Sequence, residues 1–142
     1  MQQQLIKKNK MDKIYDHKST EEKLYKKWEE NGLFAPEVNS NGKPFGIILP
    51  PPNANAPLHF GHAMYVVEDI LVRYHRMLGQ ASLWLPGADH AGFETQFVFE
   101  KQLQKEGKSR FDYDRETLYK MIWDFVEGNR GTMEYQLRRL GF

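Results

Sequence analysis

From residue 60 to residue 78 the apolar positions Ala63, Val66, Val67, Ile70, Leu71, Tyr74 and Met77 recur at helical spacing, and Gly79 follows as a stop. This pattern predicts one helix over 60–78 with a single core face. Residues 45–49, Phe-Gly-Ile-Ile-Leu, form an apolar run too brief for a helix and ended by three prolines, which predicts a buried strand. A second run, Ala-Ser-Leu-Trp-Leu at 81–85, closes on Pro86-Gly87 and predicts another strand; a helical pattern then covers 94–106. Nearer the start, Ser19 and Glu22 have the spacing of a capping box, Leu24 and Trp28 share a helical face, and Gly32 supplies a left-handed stop. A helix over 20–31 is expected, with Glu22 and Lys26 as a solvated pair. Residues 37–43 have turn-forming composition. Past Asp114, a capping residue, Leu118, Met121, Ile122, Phe125 and Val126 predict a last amphipathic helix over 114–140.

Strand, loop, helix, strand, loop, helix is the order of a parallel sheet with right-handed crossovers, hence a doubly wound α/β domain. Two strands are fewer than the five or six typical of such sheets, so the expectation is a truncated domain.

Composition narrows the function classes. The 142 residues carry 20 basic and 19 acidic side chains, a formal net charge of +1, which excludes an overall electrostatic footprint for nucleic acid and leaves only local RNA contact. There is no cysteine, so a disulfide framework and thiolate zinc sites are excluded. No apolar run approaches the roughly 18 residues of a membrane span, and the start lacks the apolar stretch of a secretory signal. A cytoplasmic protein without membrane association is expected.

In parallel α/β sheets ligands bind where strands hand over to helices at their carboxyl ends, and both unusual sequences of this chain sit there. The first runs from Leu49 through Pro50-Pro51-Pro52-Asn53-Ala54-Asn55-Ala56-Pro57-Leu58-His59-Phe60-Gly61 to His62. The second is Pro86-Gly87-Ala88-Asp89-His90-Ala91-Gly92. His59 and His62 flank Gly61 at the expected start of the long helix, where backbone N–H groups and the helix dipole favour an anion. Two imidazoles there can donate to phosphate oxygens, while Gly61 leaves room for a nucleotide near the backbone. Two other readings stay open for such a pair: helix-face histidines without a ligand, and a metal pair. The second ranks low, because no cysteine and no clustered carboxylates accompany the histidines beyond the neighbouring Asp89 and His90.

The motifs Pro-Pro-Pro-Asn at 50–53, Leu-His-Phe-Gly-His-Ala at 58–63, Asp-Ile-Leu-Val-Arg-Tyr at 69–74, Leu-Trp-Leu-Pro-Gly at 83–87 and Asp-His-Ala-Gly at 89–92 together resemble the nucleotide-binding fold of valyl-type class I aminoacyl-tRNA synthetases. The resemblance extends over essentially residues 12–142. It implies a partial Rossmann-like fold: an N-terminal helical segment over 12–43 and the first half of the catalytic domain over 44–142, after a disordered extension over 1–11. It implies that His59 and His62 are catalytic, contacting ATP phosphates, with Asn55, Ala56, Leu58 and Gly61 also on the ATP side. Pro51, Pro52, Asn53 and Asp89 are implied to bind valine. A desolvated ammonium needs an anionic partner, and Asp89 is the nearest acidic group in the two loops. The bland alternative for Asp89 is a turn or cap residue. His90 is read as structural or orienting, since attack by an ionised carboxylate needs no general base. The partners implied are L-valine, ATP with Mg2+ as its substrate complex, and tRNA(Val) in a full-length enzyme; no structural metal is expected.

The chain departs from the family pattern at one place in this loop. Where the family reads Val-Thr-Gly and a variable residue, Ala54-Asn55-Ala56-Pro57 stands here. Ala56 adds a methyl and Pro57 withdraws an N–H donor, so weakened nucleotide affinity is expected. The Lys-Met-Ser-Lys-Ser signature of class I enzymes is not in the sequence. An N-terminal fragment that activates valine weakly is therefore expected, against a non-catalytic nucleotide-binding or interaction fragment, or an isoleucyl-type fragment. Apolar helix faces, including Trp28, Trp123 and Phe125, are expected to promote self-association.

Overall fold

The computed structural model describes residues 13–142, so the extension read at 1–11 lies outside the described residues. Helix α1 spans His17–Glu30, three residues earlier than its sequence signature suggests. Asp16, not Ser19, is the cap: its carboxylate accepts the Ser19 N–H at 3.4 Å, which places Ser19 inside the first turn. Gly32 at φ +63° ends the helix as expected, and Lys26 faces Glu30 at 3.7 Å rather than Glu22.

Strands β1 (Pro44–Ile48) and β2 (Ala81–Leu85) pair in parallel, in the register Pro44 with Ala81 through Ile48 with Leu85. Between them runs helix α2, Met64–Met77, preceded by a separate 3₁₀ turn, Phe60–Ala63. The segment before β1 is fastened to the turn after α2. Asn39 donates through Nδ2 to the carbonyls of Arg76 and Gln80, and Gly42 lies so close that a Cβ there would stand 2.1 Å from the Gly79 carbonyl oxygen. Helices α3 (Gly92–Lys105) and α4 (Arg115–Leu140) pack together through Phe99, Leu103 and Val126, with the Phe99 and Phe125 rings 5.5 Å apart. Asp114 caps α4 as its position suggests, accepting from the Glu116 and Thr117 N–H groups. The far end of α4 returns to α1, where Tyr25 donates to the Phe142 carbonyl at 2.8 Å and Arg138 pairs with Glu29.

Two expectations about burial are overturned. Strand β1 is not buried: its residues alternate between exposed and half-buried, and Ile48 is 75% exposed. On α2 the expected core face, Ala63, Val66, Val67, Ile70, Leu71, Tyr74 and Met77, lies exposed. The stripe that packs inward is instead Tyr65, Glu68, Asp69, Val72 and Arg76, in which only Tyr65 and Val72 are fully buried. The physical reason is hydrogen bonding. Glu68 accepts from the Trp84 indole, Asp69 from Arg73, and Arg76 donates to the Phe34 carbonyl, so polar side chains on this stripe find partners inside the protein. Burial of this kind pushes the Asp69 carboxyl above its ordinary value despite Arg73, and lowers Arg76.

Candidate functional site

The parallel pairing of the two strands does not stop at their ends. Leu49 N–H donates to the Leu85 carbonyl, and four residues on a further bridge joins Asn53 to Asp89. There the Asp89 N–H donates to the Pro52 carbonyl at 2.9 Å and the Ala54 N–H to the Asp89 carbonyl at 2.8 Å. The two handover loops are thereby zipped backbone to backbone, and Ala54 is wholly buried beneath them. Beside this bridge lies a cleft of about 370 Å³ walled by the proline turn, Asn53, residues 55–59, His62 and Tyr65. Of the residues singled out in the sequence it gathers Pro51, Pro52, Asn53, Asn55, Ala56, Leu58, His59 and His62, but neither Gly61 nor Asp89 lines it. A larger cavity of about 650 Å³ lies elsewhere, between α1, α2, α4 and residues 86–88, and contains none of the histidine loop.

His62 is not on α2 but on the 3₁₀ turn before it, and His59 is the residue that caps this turn, which corrects the expected setting. The amides of His59, Gly61 and His62 are also spent internally. The His59 ring accepts the Gly61 N–H through Nδ1 at 3.0 Å, the His62 ring accepts the His59 N–H through Nδ1 at 3.1 Å, and the His62 N–H donates to the His59 carbonyl. An incoming anion thus meets the imidazoles beside three amides, those of His59, Gly61 and His62, that already have partners. A nitrogen that accepts a hydrogen bond carries no proton, so a neutral His59 ring in this arrangement holds its proton on Nε2, whereas His62 Nδ1 stands 3.1 Å from the His59 N–H and 3.2 Å from the His59 carbonyl and has a partner in either tautomer. The two rings, 4.2 Å apart between centroids and inclined by 48°, both line the cleft. Gly61 also has a role within the protein. A Cβ there would meet Cε1 of His59 at 2.7 Å, so the missing side chain makes room for the His59 ring.

Two side chains that sequence patterning did not single out brace this loop. The Tyr65 hydroxyl donates to the Pro50 carbonyl at 2.8 Å, and its own acidity is weakened first by burial and then by Glu68. With Pro50 held by Tyr65 and Pro52 by Asp89, the carbonyls of these two prolines each already accept one protein donor. Gln136 on α4 reaches Leu58 from across the molecule. Tyr65, one turn after His62, carried a weak positional signal; Gln136, 78 residues from its partner, carried none.

The second loop is held by its own atoms. Asp89 Oδ1 accepts the Ala91 N–H at 2.9 Å, so part of the carboxylate serves the turn, while its side chain stays accessible. Ala91 takes the left-handed conformation at φ 47°, a strained choice for a residue with a Cβ, and directly precedes α3. Thr95, 1% exposed, donates its hydroxyl to the His90 carbonyl at 2.6 Å, and the His90 ring packs edge-on against Trp123. Among the described residues no group of three or more His, Asp or Glu side chains is arranged to hold a metal ion.

Known proteins match this chain along most of its length. It is 52% identical over 124 residues to the valine–tRNA ligase, chloroplastic/mitochondrial 2, of Arabidopsis thaliana, covering 87% of this chain and 13% of that protein. Against the valine–tRNA ligase of Dehalococcoides mccartyi the identity is 47%, over 92% of this chain and 15% of the relative; against that of Legionella pneumophila (strain Paris) it is 48%, over 92% and 14%. The chain therefore spans roughly one seventh of the length of the curated relatives it matches. The family model for tRNA synthetases class I (I, L, M and V) matches residues 23–142, and the chain belongs to that family.

Proposed function

We propose that the chain carries the ATP and valine loops of a valine–tRNA ligase and, within such an enzyme, takes part in forming valyl-adenylate for transfer to tRNA(Val). The observation that carries this reading is the pair of imidazoles, 4.2 Å apart between centroids, on a cleft that is also lined by Asn53, which is bridged to Asp89. On this reading residues 44–142 form the first half of a Rossmann-like catalytic domain, preceded by the helical segment 12–43, in a cytoplasmic translation enzyme.

In the proposed reaction an oxygen of the valine carboxylate attacks the α-phosphorus of Mg-ATP. The bond to the bridging oxygen breaks, and pyrophosphate leaves with its electron pair. Negative charge builds on the phosphoryl oxygens, where donors already fixed in place act without reorganising. His59 and His62 supply those donors. Asp89 retains the oxygen not used by Ala91 for the valine ammonium, and no proton transfer is required.

The test is valine-dependent ATP–pyrophosphate exchange by the purified chain. Replacing both His59 and His62 by Ala is expected to lower it by about 10²-fold or more, the scale of losing a transition-state donor. Undiminished exchange in the double variant overturns the phosphate assignment, and preference for isoleucine over valine assigns the isoleucyl type instead. A non-catalytic fragment is the second reading, favoured by Ala56 and Pro57 on the cleft wall. Calorimetric titration with ATP, valine and a non-hydrolysable valyl-adenylate analogue separates the readings, since an interaction scaffold binds none of them and a non-catalytic nucleotide-binding fragment binds ATP without valine. The exposed apolar face of α2 supports self-association of the isolated chain; a concentration-independent monomer in sedimentation velocity overturns that.

A further inference from the structure

We propose that Gln136 is a positioning residue for the histidine loop, acting on His59 and His62 by gripping the backbone of Leu58. Its Oε1 accepts the Leu58 N–H at 2.8 Å, and its Nε2 donates to the Leu58 carbonyl at 3.3 Å. One side-chain amide thus serves both polar groups of one residue, as the neighbouring strand does in a β-ladder. That double contact fits only an extended residue, and His59 continues the extended path at φ −121°, ψ 176° before the chain turns.

The clamp stands where the loop has least support of its own. Pro57 has no N–H to give, and Ala56, Pro57, His59 and Phe60 are exposed. Tyr65 fastens the beginning of the loop at Pro50, the Asp89 bridge fastens its middle at Pro52 and Ala54, and Gln136 fastens its end. The fastening point is itself firm, because Met133, one turn earlier on α4, is 2% exposed. From Leu58 the effect passes directly to the rings. The His59 N–H is the next backbone donor, and it is the group that the His62 ring accepts. A shift of Leu58 therefore moves both rings together.

Chemistry singles out glutamine. Glutamate keeps the acceptor for the Leu58 N–H but sets an oxygen against the Leu58 carbonyl, asparagine is one methylene short, and methionine matches the length while offering neither bond.

This inference rests on the proposed phosphate role of the histidines only for its functional consequence, so two independent readouts are needed, both on the full 142-residue chain. In the first, Gln136→Met and Gln136→Glu are compared with the parent by amide hydrogen exchange of Leu58 and by the ring proton resonances of His59 and His62. Faster Leu58 exchange is expected in Gln136→Met, which loses the acceptor, and displaced resonances of both rings are expected in both variants. Unchanged exchange and unchanged rings overturn the clamp whatever ATP does, and should Gln136→Met fail to fold, the rings in Gln136→Glu alone decide.

In the second readout ATP itself is titrated. Gln136→Met is expected to weaken ATP binding about tenfold in the parent background, the value of one or two net hydrogen bonds, and to have no further effect in a His59→Ala, His62→Ala background. An equal loss in both backgrounds overturns action through the histidines. If the histidine substitutions leave ATP binding untouched while the rings still move with Gln136, the phosphate reading fails and the clamp stands.

Discussion

The two handover loops lie side by side, joined by the Asn53–Asp89 bridge, yet they are kept in shape by opposite means. The first, between Ile48 and Phe60, is long and is held from outside by residues of α2 and α4. The second, between Leu85 and Gly92, is short and is held from within, by the Asp89 carboxylate, the left-handed Ala91 and the Thr95 hydroxyl of the helix it feeds. A short loop can store much of its geometry locally, because side chains such as Asp89 and Thr95 reach backbone groups a few residues away. Closing a longer one costs more entropy, and distant anchors reduce the freedom left to it.

This contrast makes damage local in one loop and delocalised in the other. The largest effect on stability is expected from Thr95→Val. It deletes a fully buried hydroxyl and strips the His90 carbonyl of a donor, costing about 2 kcal/mol in urea unfolding. Faster amide exchange should stay confined to residues 89–95; spreading to Leu58 would break the comparison. Tyr65→Phe comes next, at about 1 kcal/mol for the lost bond to Pro50. Its disturbance should reach both Leu49 and Leu58, measured by the same exchange experiment. Smallest is Ala91→Gly, expected to stabilise by about 0.5 kcal/mol, as relief of left-handed strain outweighs the added freedom of the unfolded chain. A destabilised glycine variant would mean that Ala91 is not strained.

Much of this was legible in the sequence, because it rests on short-range rules. The two apolar runs and their proline-marked ends located β1 and β2 nearly to the residue, and Asp114 announced α4. The crowding of Pro50, Asn53, His59 and His62 at one strand end followed from the strand-helix order. What escaped detection depended on the surroundings. Helical periodicity marks the apolar face of α2 but cannot say which face the neighbours cover, and here a hydrogen-bonded polar stripe turned inward. The 3₁₀ turn that carries the histidines reads as ordinary helix in a hydrophobic pattern, although the rings themselves cap it. Ala91 carries no left-handed signal of the kind glycine or asparagine gives.

Helix α4 touches nearly everything described above: α3 along its first half, Leu58 through Gln136, and α1 through Arg138. Its influence on the histidine loop therefore depends on angular phase as well as on side-chain chemistry. Adding or removing a single residue upstream of Gln136 within the helix would turn that amide by about 100° around the axis and carry it away from Leu58, with the composition of the cleft wholly unchanged. The cleft is in this respect intolerant of length changes some 78 residues away in sequence.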